Sequence, residues 1–176
     1  RIPIFLAYYP AVMSYDFGRQ LSEAVNGHKY FWDYQPLIHT ELIRIFYLIG
    51  QKIGNLQVGM ALLSIFQFTV LSLILAYSVS VIYRVTGRLW ISVTLTAIYS
   101  LLPVHTLISV IMTKDVLFSA FMLLFICLIY ERSLKKTILI DVALVLTAVL
   151  NITFRKNSVY AMVVLIIGFL IYEKIS

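Results

Sequence analysis

Charge is scarce in this sequence. Asp, Glu, Lys and Arg make up 12% of its 176 residues, about half of the roughly 25% usual in a soluble globular domain. So few charged groups cannot solvate the large surface that a water-soluble domain of this size still exposes. Cysteine is almost absent. Cys127 is the only one, which excludes an intrachain disulfide framework and any zinc site built on paired cysteines. Its place inside an apolar run suits a packed or lipid-facing thiol. Nucleotide and hydrolase signatures are missing too: there is no P-loop, no nucleotide-binding glycine fingerprint, no GxSxG elbow and no HExxH pair. The sequence therefore carries no sign of ATP hydrolysis or serine-hydrolase chemistry.

Apolar residues fill the space that charge leaves. They make up 61% of the chain, mean hydropathy is +0.95, and lipid is the solvent that such a surface requires. Tyr (12) and Phe (11) are abundant, and Tyr suits the headgroup boundary, where one end of its ring is wet. The formal charge of +6 does not indicate nucleic acid. The basic residues are scattered, and the densest run is Arg132, Lys135 and Lys136. Cations flanking apolar spans contact lipid headgroups or set topology. The chain begins at Arg1 without methionine, which suggests a fragment or a processed product, and no signal-peptide pattern precedes it.

A helical span needs about 20 mainly apolar residues, fewer where its ends are buried. The pattern predicts an all-α, polytopic transmembrane bundle forming a single domain over residues 1–176. A partial span covers 1–9 and a long outer loop 10–57, followed by spans near 58–83, 89–102, 116–130, 137–150 and 158–172. Pro103 disfavours continuation of the second full span. Within the loop, Ile38, Leu42, Ile45, Phe46, Ile49 and Ile53 recur at helical spacing. They predict an amphipathic helix lying in the interface, its apolar side toward lipid or the bundle. Gly50 and Gly54 have GxxxG spacing, but they close this segment and read as a helix end rather than a dimer seam. Strict alternation puts the Arg84–Arg88 and Glu131–Lys136 turns on one face. Their five Lys and Arg make that face cytoplasmic by the positive-inside rule.

Three polar groups gather on the opposite face. In the first, a helix starting near Ser14 puts Asp16 and Gln20 on one side. Asp16 can accept a proton from a hydroxyl, help hold a metal, or simply cap the helix. In the second, Pro36 suits a first helical turn and leaves His39 one turn inside. His39 can bond phosphate, ligate a metal, relay a proton, or merely sit in solvent. The third is Lys114-Asp115, with Arg155-Lys156 on the next connection. Cations here can hold a lipid phosphate or diphosphate, Arg in bidentate fashion. Asp115 can pair with Lys114, neutralise an arginine, ligate a cation or cap a helix. The plainer alternative for Lys114 and Lys156 is snorkelling. Asp141 lies in an apolar run but close to Lys135-Lys136, where interfacial pairing accounts for it. Asn151-Ile152-Thr153 has glycosylation spacing.

Tyr9-Pro10, Ser14-Tyr15-Asp16, Gln20, Pro36-Leu37-Ile38-His39-Thr40, Gln67, Pro103, Lys114-Asp115 and Phe154-Arg155-Lys156-Asn157 occur in this order. Together they resemble a group of bacterial polytopic membrane proteins related to the GT-C glycosyltransferases, the class that includes the dolichyl-phosphate-mannose protein mannosyltransferases. The resemblance covers nearly the whole chain through short motifs. It implies sugar transfer from a polyprenyl-phosphate-linked donor to a glycan or cell-wall polymer, outside a bacterial plasma membrane. By that analogy Asp16 is the general base of an inverting displacement. Lys114 and Arg155 neutralise the departing lipid phosphate, while Gln20, His39 and Asp115 position substrate or a divalent ion such as Mg or Mn. GT-C enzymes usually carry more spans and often a soluble C-terminal domain, neither of which the sequence shows.

A reading from another class is a non-catalytic subunit that binds a polyprenyl lipid, flips it, or supports a complex. Catalysis requires Asp16, whereas a scaffold depends on packing positions such as Gly59 and Ala61. A transporter would place paired charges or broken helices near the midplane, and the polar residues here lie at boundaries.

Overall fold

The computed structural model describes residues 2–26 and 36–175. Arg1 of the expected partial span and residues 27–35 of the expected outer loop lie outside the described residues. The described chain is mostly helical, with one very small sheet. Its elements are α1 (Ile2–Ala7), β1 (Val12–Met13), α2 (Tyr15–Val25), α3 (Leu37–Ile53), α4 (Leu56–Thr86), α5 (Leu89–Leu101), α6 (Pro103–Val110), β2 (Ile111–Met112), α7 (Lys114–Leu134), α8 (Ile138–Phe154) and α9 (Ser158–Ile175).

Local chemistry sets the helix boundaries. Ser14 holds an extended backbone and its Oγ accepts the Phe17 N–H at 3.2 Å, starting α2. Gly54 ends α3 in the left-handed conformation, φ 78°, which costs glycine nothing. Asn55 then opens α4 by accepting the Gln57 N–H at 3.0 Å on its side chain. Gly87 closes α4 at φ 61°. Pro103 does not simply stop a helix: it is the first residue of α6, where its missing N–H costs nothing.

Among the described residues, α4 and α7 are long and apolar enough to cross a membrane. α5 and α6 pass the same test together across a 54° bend, while α8 and residues 158–169 of α9 are shorter apolar helices. Two helices therefore qualify by length and composition, three with the bent pair, against the five full spans expected. α4, at 31 residues, is about 46 Å long, longer than the roughly 30 Å hydrocarbon core of a bilayer.

α3 folds back on the start of α4 where two glycines meet. A Cβ on Gly59 would stand 2.4 Å from the Phe46 carbonyl oxygen and 2.9 Å from Gly50 Cα. Gly54 thus ends the helix, as its position in the sequence predicts, while Gly50 makes an internal close approach that the sequence reading did not include. The buried face of α3 differs from the expected apolar stripe. His39, Thr40, Ile43 and Gly50 turn inward, while Ile45 and Ile53 are more than half exposed. The close crossing at Gly50 sets the rotation of the helix, and that rotation carries His39 into the bundle. Around it, Phe17, Ala24, Ile43, Met60, Leu63 and Met112 form the principal core. Phe5, Ala61 and Val110 pack a second cluster beside α1.

Candidate functional site

A two-residue parallel ladder builds the site. Val12 pairs with Ile111 and Met13 with Met112. Each strand runs directly into a helix start, α2 after β1 and α7 after β2, so two first turns lie side by side. Ser14 reinforces the junction: its Oγ donates to the Met112 carbonyl at 2.8 Å, across 98 positions of sequence. Gln67 anchors the other strand, its amide donating to the carbonyls of Ser109 (3.2 Å) and Ile111 (2.8 Å). Burying these polar groups costs little because each is bonded.

The ladder brings Asp16 and Lys114 together, Nζ to Oδ2 at 3.7 Å. That is an ion pair but too long for a hydrogen bond. A second pair stands beside it. Arg155 Nη1 reaches Asp115 Oδ1 at 3.4 Å, and the guanidinium lies over the Phe118 ring at 5.5 Å. Neither acid is the N-cap of its helix, since Ser14 and Thr113 fill those places. Asp16 and Asp115 instead occupy the first turns, where the helix dipole favours an anion. Lys114 and Asp115, neighbours in sequence, each pair with a distant partner rather than with each other. Lys114, Arg155 and the exposed Lys156 set three cations against these two carboxylates.

Gln20 and His39 lie beneath this surface. The resemblance implies contact with substrate for both, and the histidine taken alone can equally sit in solvent. In the structure neither faces solvent, since each residue is only 1% exposed. They bond each other, His39 Nδ1 to Gln20 Oε1 at 2.7 Å. With that carbonyl oxygen accepting, Nδ1 carries the proton and Nε2 the lone pair. The ring also meets Phe154 edge-on at 6.1 Å. Burial, and secondarily the positive charge of Lys114, pull the His39 pKa down to about 4, so the ring is neutral near pH 7.

A metal has no ready ligand set here. Among the described residues no three His, Cys, Asp or Glu side chains converge. The two carboxylates face cations, and one nitrogen of His39 is already bonded. The expected divalent ion does not fit this donor set.

Other sequence expectations resolve plainly. Asp141 is paired, but with Arg132 rather than Lys135 or Lys136. Asn151 is fully buried and its amide donates to the Thr147 carbonyl at 2.8 Å, so it is no glycosylation acceptor in this fold. Phe118 escaped the sequence reading, and Phe154 entered it only as part of the Phe154-Arg155-Lys156-Asn157 motif. Their signal was positional: Phe118 lies three residues after Asp115 on one helix, and Phe154 directly precedes Arg155.

A groove of about 510 Å³ opens between α1, α4 and α5, lined by Ile2, Phe68, Leu75, Val79 and Tyr99 among others. The hydroxyls of Ser72 and Thr96 on its wall donate to carbonyls of their own helices, at 2.6 and 2.8 Å. The remaining lining is largely apolar.

Residues 4–175 match a family described as a family of unknown function, DUF6020. No curated protein and no solved structure matches the chain.

Proposed function

Taking as premise that this chain belongs to DUF6020, a family whose function is unknown, we propose that it is a GT-C-like glycosyltransferase or the membrane core of one. It moves a sugar from a polyprenyl-phosphate-linked donor to a cell-envelope acceptor, on the extracytoplasmic side of a bacterial plasma membrane. The observation that carries this reading is the juxtaposition of Asp16 with Lys114 by the β1–β2 ladder. A carboxylate that can take a proton stands beside a cation that can take a phosphate, at the head of apolar helices.

The chemistry follows from those two roles. The acceptor hydroxyl gives its proton to Asp16 while its oxygen bonds to the anomeric carbon of the donor sugar. The bond from that carbon to the phosphate oxygen breaks with its electron pair, and the lipid phosphate leaves with inversion at carbon. Lys114 and Arg155 neutralise the leaving phosphate, aided by the N-termini of α2 and α7. The half-open pairs support this role, because neither cation is locked to its acid by a short hydrogen bond. The groove between α1, α4 and α5 suits an isoprenoid chain, since its lining is largely apolar and the Ser72 and Thr96 hydroxyls are bonded within their own helices.

The test is transfer from polyprenyl-phosphate sugars in membranes, native chain against Asp16→Asn at matched expression. The expected result is a loss of about 10²- to 10⁴-fold, the range of a missing general base, with insertion unchanged. Transfer that survives the substitution removes Asp16 as the base. Binding of the polyprenyl phosphate with no transfer by either protein favours the non-catalytic lipid-binding, flipping or scaffold subunit.

A further inference from the structure

The two ion pairs meet at the start of α7, where Lys114 and Asp115 are consecutive, and one buried side chain touches the elements that carry their outer partners. His39 bonds Gln20, one turn beyond Asp16 on α2. It packs against Phe154, the residue before Arg155 at the end of α8. It is also close enough to Lys114 on α7 to feel that cation's charge. The ring is the part of α3 that reaches these neighbours. We propose that His39 is a positioning residue, a buried strut that sets the separation between the Asp16–Lys114 pair and the Asp115–Arg155 pair by joining α2 to the α8–α9 connection. This rests on the reading of that end of the molecule as the substrate site.

The physical argument is one of alternatives. Gln20 and His39 are both buried, so each polar atom must find a partner inside the protein. The 2.7 Å bond satisfies one atom of each and, by its direction, fixes the ring plane. A fixed plane holds the edge-on contact with Phe154, and Phe154 cannot shift without carrying Arg155. An apolar residue of similar size would fill the volume and remove the donor that Gln20 Oε1 accepts from His39. The same space would be occupied while the coupling between α2 and α8 was lost. His39 touches neither acceptor nor donor in this scheme and acts through its neighbours.

The experiment uses the full chain in lipid nanodiscs with spin labels at Gly18→Cys and Asn157→Cys, in a Cys127→Ala background. Gly18 has open space around its Cβ position and Asn157 is exposed, so both accept a label. The native ring and His39→Gln, whose amide can still donate to Gln20, should give one narrow distance distribution. His39→Leu should broaden or shift it, and transfer should fall at least about tenfold, the scale of a misplaced catalytic group. His39→Gln should restore most of that transfer. If His39→Leu does not insert, Gln20→Leu replaces it, keeping the ring but removing its acceptor. A distribution unmoved by either leucine overturns the strut. So does a loss of transfer in both His39 variants at unchanged distance, which would mean that the ring acts on substrate itself. A distribution that moves while no variant, native included, transfers sugar upholds the strut and sinks the glycosyltransferase reading instead.

Discussion

The two ends of α7 carry the same kind of interaction in two different forms. At its start, Lys114–Asp16 and Arg155–Asp115 stand at 3.7 and 3.4 Å, and both carboxylates are 49% exposed. At its end, about 30 Å away along a 21-residue helix, Arg84 meets Glu131 and Arg132 meets Asp141 in direct contact. Glu131 and Arg132 are less than a fifth exposed. The far pairs tie α7 to its packing neighbours α4 and α8. The near pairs reach across the ladder and the α8–α9 connection, where solvent and substrate can enter. Exposure alone does not separate the ends, since Lys114 with Asp16 (18% and 49%) matches Arg132 with Asp141 (18% and 47%). Geometry does: the far pairs are in direct contact and tie helices together, whereas the longer near pairs can exchange a partner for a ligand.

Acidification should press hardest on the near end. His39 titrates near 6.5 when unfolded and near 4 in the fold. Below 6.5 the unfolded chain binds more protons, so stability falls as pH drops from 6.5 toward 4, by about 3 kcal/mol in all. The charged group that acts on the ring is Lys114 on α7, which adds to the effect of burial. Thermal unfolding between pH 7 and about 5.5, above the ordinary carboxylate values near 4, reads mainly the histidine. His39→Gln should flatten the slope, and an equal slope in both proteins would assign the effect elsewhere.

Removing one acid from each end sharpens the contrast. Glu131→Gln should lower stability by about 2 kcal/mol, short of the 3–5 expected for a fully buried pair, with transfer unaffected. Asp115→Asn should cost less than about 1 kcal/mol, the usual worth of an exposed pair, while weakening polyprenyl-phosphate binding or transfer. Denaturation in detergent read beside the transfer assay checks both. The comparison breaks if Asp115→Asn proves the more destabilising. The smallest effect should come from salt. Raising ionic strength should loosen the longer near pairs by a few tenths of a kcal/mol and the directly contacting far pairs by less.

Much of the site was legible in the chain because its signals are local. Ser14 before Asp16, Pro36 before His39 and the Asp16–Gln20 spacing all mark helix starts or faces through contacts within one turn. The ladder joining the two halves was not legible. Two-residue strands are too short for any periodic pattern, and nothing near Val12 points to Ile111. The burial of His39 was missed for a different reason: a polar residue beside an apolar stripe ordinarily faces water.

By itself, the sequence determined that this chain needs lipid as solvent, that it is helical, and where most helices begin and end. Composition and capping act over a few residues and need no partner. Tertiary structure alone decided which acid meets which cation, because the β1–β2 pairing and the α8–α9 turn bring together residues far apart in the chain. It also decided that His39 faces inward. A helix offers several faces, and only the close approach of Gly50 to Gly59 and the bond to Gln20 choose among them.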